Sequence, residues 1–165
     1  MRKSCLLLAA LLLLTVCASA KDEPKFKSIE VKHFPNAEGV ELPPEFGDFL
    51  YAELRAELQK KKVAEELVGE GEVPDPAAAA QSVVLEGNIL EYKKGSVVRE
   101  HLTPYGAIFG AGARVIRAHI KVTRRNNNEA VIDKDLKVKA MPDWDPKTLA
   151  KFLASAITKE LKHAE

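Results

Sequence analysis

Two runs constrain this chain more than anything else in it: "RVIRAHIKVTR" at 114–124 and "AVIDKDLKVKA" at 130–140. Apolar residues recur at every second position, the period of a half-buried strand. In the first run Ile116, Ala118, Ile120 and Val122 share one face, with Arg117, His119, Lys121 and Thr123 on the other. In the second, Ile132, Leu136 and Val138 share a face that also carries Lys134. Asn126, Asn127 and Asn128 join the runs as a three-residue hairpin loop, asparagine supplying the left-handed turn position. That closure sets Val122 opposite Ile132, Ala118 opposite Leu136 and Ile116 opposite Val138, with Lys121 facing Asp133 and His119 facing Asp135 on the outer side. A two-residue loop would turn the second strand's apolar set outward. Lys134, beside Ile120, then needs an open end of the sheet through which its ammonium reaches water.

The outer face bears directly on function. Arg117, His119 and Lys121 alone would read as a basic ribbon for nucleic acid, but the opposed aspartates cancel that field. Each such cross-strand pair is worth only about 0.2–1 kcal/mol, yet the charge is neutralised. No stacking aromatics alternate with the stripe, so a nucleic-acid partner is not expected.

Other segments supply the rest of a sheet and its cover. "FKSIEVKHF" at 26–34 alternates Ile29 and Val31 against Glu30 and Lys32, and "SVVLEGNILEY" at 82–92 has the aliphatic content of an inner strand. "SVVREHL" at 96–102 reads as an optional edge strand. Pro43 and Pro44 suit the first turn of a helix in which Phe46, Phe49, Leu50, Leu54 and Leu58 form one stripe and Glu57 lies on the wet side. Lys60, Lys61 and Lys62 complement the negative end of its dipole. "DPAAAAQ" at 75–81 suggests one helical turn capped by Asp75. Asp145 followed by Pro146 starts a second helix, with a stripe of Leu149, Phe152, Leu153, Ala156, Ile157 and Leu161 and with Trp144 packed ahead of it as a lid.

The element order is therefore β-α-β-(β)-β-β-α. A strand–helix–strand unit with parallel strands, a hairpin apolar on one face and two single-striped helices give an α+β fold: a two-layer α/β sandwich, its mixed sheet of about four strands carrying both long helices on one face and the other face largely in water.

Residues 1–20, "MRKSCLLLAALLLLTVCASA", read as a signal peptide: Arg2 and Lys3, then an apolar run from Leu6 to Leu14 too short to span a membrane, then small residues to Ala20. Residues 21–165 form a single domain, about 145 residues and large enough to bury a core. "LTVC" ending at Cys17 is a lipoprotein-box alternative, weakened by Val16 where the peptidase pocket takes a small residue. Cleavage after Ala20 removes Cys5 and Cys17, leaving neither disulfide nor thiol chemistry. Of the 25 Lys and Arg side chains, 23 then remain against 24 Asp and Glu, a balance with no global pull toward nucleic acid or anionic lipid.

The segments "FKSIEVKHFPNAEGVELPPEFGDFLYAELRAELQK", "LEGNILEYKKGS" and "FGAGARV", with the charged hairpin, together resemble an uncharacterised bacterial family known only as domain of unknown function 4410. More distantly the layout is similar to small α/β modules of cell-envelope proteins, such as the N-terminal domain of the Tol-system propeller protein and the curli secretion lipoprotein. The resemblance implies a periplasmic or lipid-anchored envelope protein and brings no catalytic residues with it.

The residues agree in offering no catalytic, metal or cofactor constellation. His33, His101, His119 and His163 sit in separate elements, and Ser28, Ser82, Ser96 and Ser155 lack a nucleophile-elbow context. "PYGAIFGAGARVI" at 104–116 is the remaining candidate. It lacks the Lys-Ser/Thr of a phosphate loop and is too short for a membrane helix; insertion as a tilted strand is compatible with its length, though polar–apolar alternation is missing. Two readings stand: a flexible connection, or a contact surface of Tyr105, Gly106, Ile108, Phe109, Gly110 and Gly112 that meets a second copy or another envelope protein. A non-enzymatic envelope protein acting by protein–protein contact or self-assembly is the expected function. The alternatives are a periplasmic small-molecule or metal-binding module using a pocket near Trp144 and the glycine-rich loop, and a hydrolase with an unfamiliar site.

Overall fold

The structure is a computed structural model and describes residues 23–76, 78, 81–96 and 112–164. The chain forms β1 (Phe26–Val31), α1 (Phe46–Lys60), β2 (Ala64–Val68), β3 (Ser82–Lys93), β4 (Arg114–Arg124), β5 (Ala130–Ala140) and α2 (Pro146–His163). The five strands lie in one sheet in the order β2-β1-β3-β4-β5; β1 is parallel to both neighbours, and β3, β4 and β5 are antiparallel. The expected α+β sandwich is what forms, with five strands rather than four. The added strand is β2, five residues with two consecutive glutamates, and it is drawn into the sheet by its place beside β1 rather than by its own pattern. The optional strand at 96–102 lies outside the described residues apart from Ser96.

The hairpin register is the expected one. Val122 faces Ile132, Ala118 faces Leu136, Ile116 faces Val138, Lys121 faces Asp133 and His119 faces Asp135. The turn differs: Arg124 pairs across it with Glu129, and a bulge between Val122 and Thr123 absorbs the extra residue. Asn128 takes the left-handed conformation at φ 55°, as an asparagine can. Lys134 reaches Glu160 of α2 in an ion pair at the sheet's edge, so its charge does not enter the core.

Ile29 and Val31, Val83, Leu85 and Ile89, and Ile116, Ala118, Ile120 and Val122 meet both helices in one core. α1 contributes Phe46, Leu50, Leu54 and Leu58, and α2 contributes Leu149, Ala150, Leu153, Ala154, Ile157 and Leu161. Each of the Val, Leu, Ile and Phe side chains is worth about 1.5–3 kcal/mol on burial, so this layer dominates stability. Three details depart from the stripes read in the sequence. Phe152 is 46% exposed and stacks on Trp144 at 4.4 Å between centroids. Glu57 is buried rather than wet. Pro43 and Pro44 precede α1, which begins at Phe46 after Glu45 in the left-handed region.

α1 ends in a Schellman motif: the Val63 amide donates to the Leu58 carbonyl and that of Lys62 to Gln59, with Val63 and Leu58 both buried. Lys62 holds the left-handed position, φ 50°, where glycine is the usual residue. Beyond β1 the chain continues along β3, the Ile89 amide donating to the Pro35 carbonyl and that of Ala37 to Ile89. Phe34 packs there against Gly87, where an added Cβ would lie 2.6 Å from its ring and 2.4 Å from the His119 carbonyl oxygen.

The second face is not uniformly wet. Joining β2 to β3 takes the chain past β1, and the described residues of the 69–81 connection run on the face away from the helices. Under it Ser28 and Ser82 share a hydrogen bond of 2.6 Å, and Glu30, 7% exposed, is ion-paired to Arg125 and accepts from the Gly71 amide at 3.1 Å. Only the β4–β5 half of that face is open as expected.

Candidate contact site

Of the residues singled out for contact, Tyr105, Gly106, Ile108, Phe109 and Gly110 lie outside the described residues; Gly112 is described. It sits at φ 86°, in the region that favours glycine, and its carbonyl accepts the Ser96 amide at 2.7 Å. Gly95 lies against Pro142 so closely that an added Cβ would approach within 2.5 Å. The chain therefore leaves the sheet at Ser96 and rejoins it at Gly112 through a single pinned point, and the sequence between carries the apolar cluster.

Beside this point the surface is itself apolar. Met141 and Phe152 are each 46% exposed, Trp144 is half-buried between them in sequence, and the Trp144 amide donates to the Met141 carbonyl at 3.2 Å. Trp144 thus packs ahead of α2 as expected, with Phe152 as its ring partner. Asp145 caps α2, accepting from the Thr148 amide at 2.9 Å and its hydroxyl at 2.8 Å. Those bonds, the amide's first, hold the Asp145 carboxyl below the usual range. Arg114 donates to the Trp144 carbonyl, while its buried Nε has no hydrogen-bond partner among the described residues. Leu42, Pro43, Tyr92, Lys94, Asp143 and Trp144 are among the walls of an open hollow here, of about 500 Å³.

On the open face and around His33, polar side chains pair with one another. Asp135 takes Arg117 Nη2 at 2.6 Å and His119 Nδ1 at 3.0 Å, and these bonds, Arg117's first, lower its pKa. Asp133 lies 3.4 Å from His119 Nε2. The open face neutralises itself as the register implied. His33 stacks on Tyr51 at 4.0 Å and bonds Glu70 at 2.8 Å, which lowers the Glu70 pKa. Ser28 and Ser82 are buried against each other, so neither presents a nucleophile. Among the described residues no group of three or more His, Cys, Asp or Glu side chains is placed to hold a metal. His101 lies outside them.

The part-buried Glu30–Arg125 pair and the apolar surface formed by exposed Met141 and Phe152 with half-buried Trp144 are the features that sequence reasoning missed. Glu30 occupies a perfect wet-side position in its strand, and nothing local marks the chain that covers it. Phe152 fits a helical stripe within one step of its true edge, so only packing could place it outside.

No protein-family model and no curated protein matches the chain. Solved structures do. The PelC dodecamer from Paraburkholderia phytofirmans aligns at TM-score 0.56 and 13% identity, covering 86% of this chain and 91% of that one. Protein XCC0632 from Xanthomonas campestris, of the family DUF330, aligns at TM-score 0.51 and 9% identity, covering 84% and 83%. At such identities the likeness is one of fold.

Proposed function

We propose that this is an exported, non-enzymatic protein of the bacterial cell envelope that works by protein–protein contact, first of all with copies of itself. The observation that carries the proposal is the apolar corner: exposed Met141 and Phe152, with half-buried Trp144, stand beside the pinned stems of a segment bearing Tyr105, Ile108 and Phe109. Contiguous exposed apolar surface of this kind marks contacts. The PelC structure of similar fold is a dodecamer, which supports self-association. The leader at 1–20 supports a periplasmic or secreted location, with acylation of Cys17 as the anchored variant, and membership of the family of domain of unknown function 4410 rests on the segments quoted above.

Sedimentation velocity on the exported protein tests the assembly. The expected result is an oligomer that Phe109→Asp dissociates without moving the thermal midpoint. A wild-type chain that sediments as a monomer at working concentrations overturns it.

A second reading has its own observation. The buried Arg114 Nε, without a hydrogen-bond partner among the described residues, lies beside Trp144 in a hollow also walled by Tyr92 and suits a small ligand with an acceptor atom better than a bare metal. Trp144 is the single tryptophan, so a saturable change in its fluorescence with a small ligand, at unchanged sedimentation, would favour this reading over assembly.

A further inference from the structure

The last turns of α1 and α2 and the start of β1 meet at one end of the molecule. Lys25, Lys61, Lys62, Lys162 and His163, all exposed, rim one shallow depression of about 390 Å³ with Glu23 and Val63. Part of this charge has a local reason, because cations at Lys61, Lys162 and His163 complement the negative ends of two helix dipoles. Lys25 has no such reason, since it precedes β1. Lys62 has an opposing one: at φ 50° a glycine is free of the steric penalty a side chain meets, so the chain carries a cation where its backbone favours none. We propose that this end of the protein docks on anionic phospholipid headgroups and rests against a membrane leaflet.

Charge and chain direction both identify the occupant. Among the described residues of the rim, Lys25, Lys61 and Lys62 outnumber Glu23 and complement a surface of phosphodiesters. Glu23 is the first described residue and stands on the rim, so the chain enters the fold at the patch. An acyl chain on Cys17 would be only six residues upstream, a reach of roughly 20 Å at full extension. Cleavage after Ala20 would instead place a new α-amino group and the Lys21 ammonium just before the rim in sequence. A soluble anion would meet the same charges but has no connection with the point of chain entry. The inference rests on the envelope location proposed above and not on self-assembly.

The test uses the protein purified after export, co-sedimented with vesicles of phosphatidylcholine alone and with vesicles that also contain phosphatidylglycerol. The difference between the two is the readout, so an acyl chain that enters both does not mask it. We expect binding that depends on phosphatidylglycerol and is lost as salt rises from about 0.1 M to about 1 M. Lys62→Gly should weaken it about five-fold, the effect of one cation near an anionic surface, while the thermal midpoint holds or rises. Lys25→Glu combined with Lys61→Glu should abolish it. Equal binding to both vesicles, or Lys62→Gly binding like wild type, overturns the proposal. So does a midpoint raised by inorganic phosphate while vesicles have no effect, which would reveal a site for free anion. Cell fractionation reads the location independently.

Discussion

The face of the sheet away from the helices has two halves that look alike in sequence and differ in structure. Across β4 and β5, Arg117, His119, Asp133 and Asp135 pair in the open, each at least one-third exposed. Across β1 and β3, Ser28, Glu30 and Ser82 lie under the 69–81 connection, and Glu30 retains 7% of its surface. Both halves come from strands that alternate charge with apolar residues. A strand's period says which side chains share a face; whether water reaches that face depends on where distant chain passes. Ion pairs in the two halves should therefore differ in energetic weight, because water screens one set and is largely excluded from the other.

Three substitutions sharpen the contrast, set against the helix-covered face as a reference. Leu153→Ala, under α2, should lose about 2–5 kcal/mol in denaturant unfolding, the range for a buried leucine that leaves a cavity. A loss near zero would mean that the core is not where the register puts it.

Arg125→Ala should follow at about 2 kcal/mol. It strands the Glu30 carboxylate, but a third of the Arg125 side chain is in water, so the loss falls short of the 3–5 kcal/mol typical of a fully buried pair. A double-mutant cycle with Glu30→Gln measures the coupling, and a coupling no greater than that of the open half would erase the distinction.

Asp135→Asn should have the smallest effect of the three at neutral pH, because water screens the pairs that Asp135 makes. Its sign with pH follows from the lowered Asp135 pKa. The folded state holds the carboxylate more readily than the unfolded chain, so the contribution is complete above the unfolded value, about 3.9, and disappears as pH falls through the folded value. Wild type and Asp135→Asn should therefore converge in stability in acid. A gap that persists or widens as the pH drops would mean the aspartate acts other than through its charge.

How far the chain disclosed its own fold follows the same division. The β4–β5 register was readable because its partners are close in sequence and a wrong turn length would invert a whole face. The start of α2 was readable for a similar reason: Asp145, Pro146 and Thr148 settle it among themselves. β2 was not, because Glu65 and Glu66 have no strand preference and only β1, brought alongside by α1, recruits them. Glu30 was not, because its partner Arg125 is in a turn far along the chain. Of the candidate contact, the glycines marked where the chain departs and returns, while the apolar neighbours Met141 and Phe152 emerged only once α2 was seated on the sheet.

The amide-to-carbonyl bond from Ser96 to Gly112 has one more consequence. It brings residues 96 and 112 together at the sheet's end, so the two ends of the intervening segment meet at one fixed seam. A closed seam of that kind is where an engineer would join a foreign epitope to the sheet.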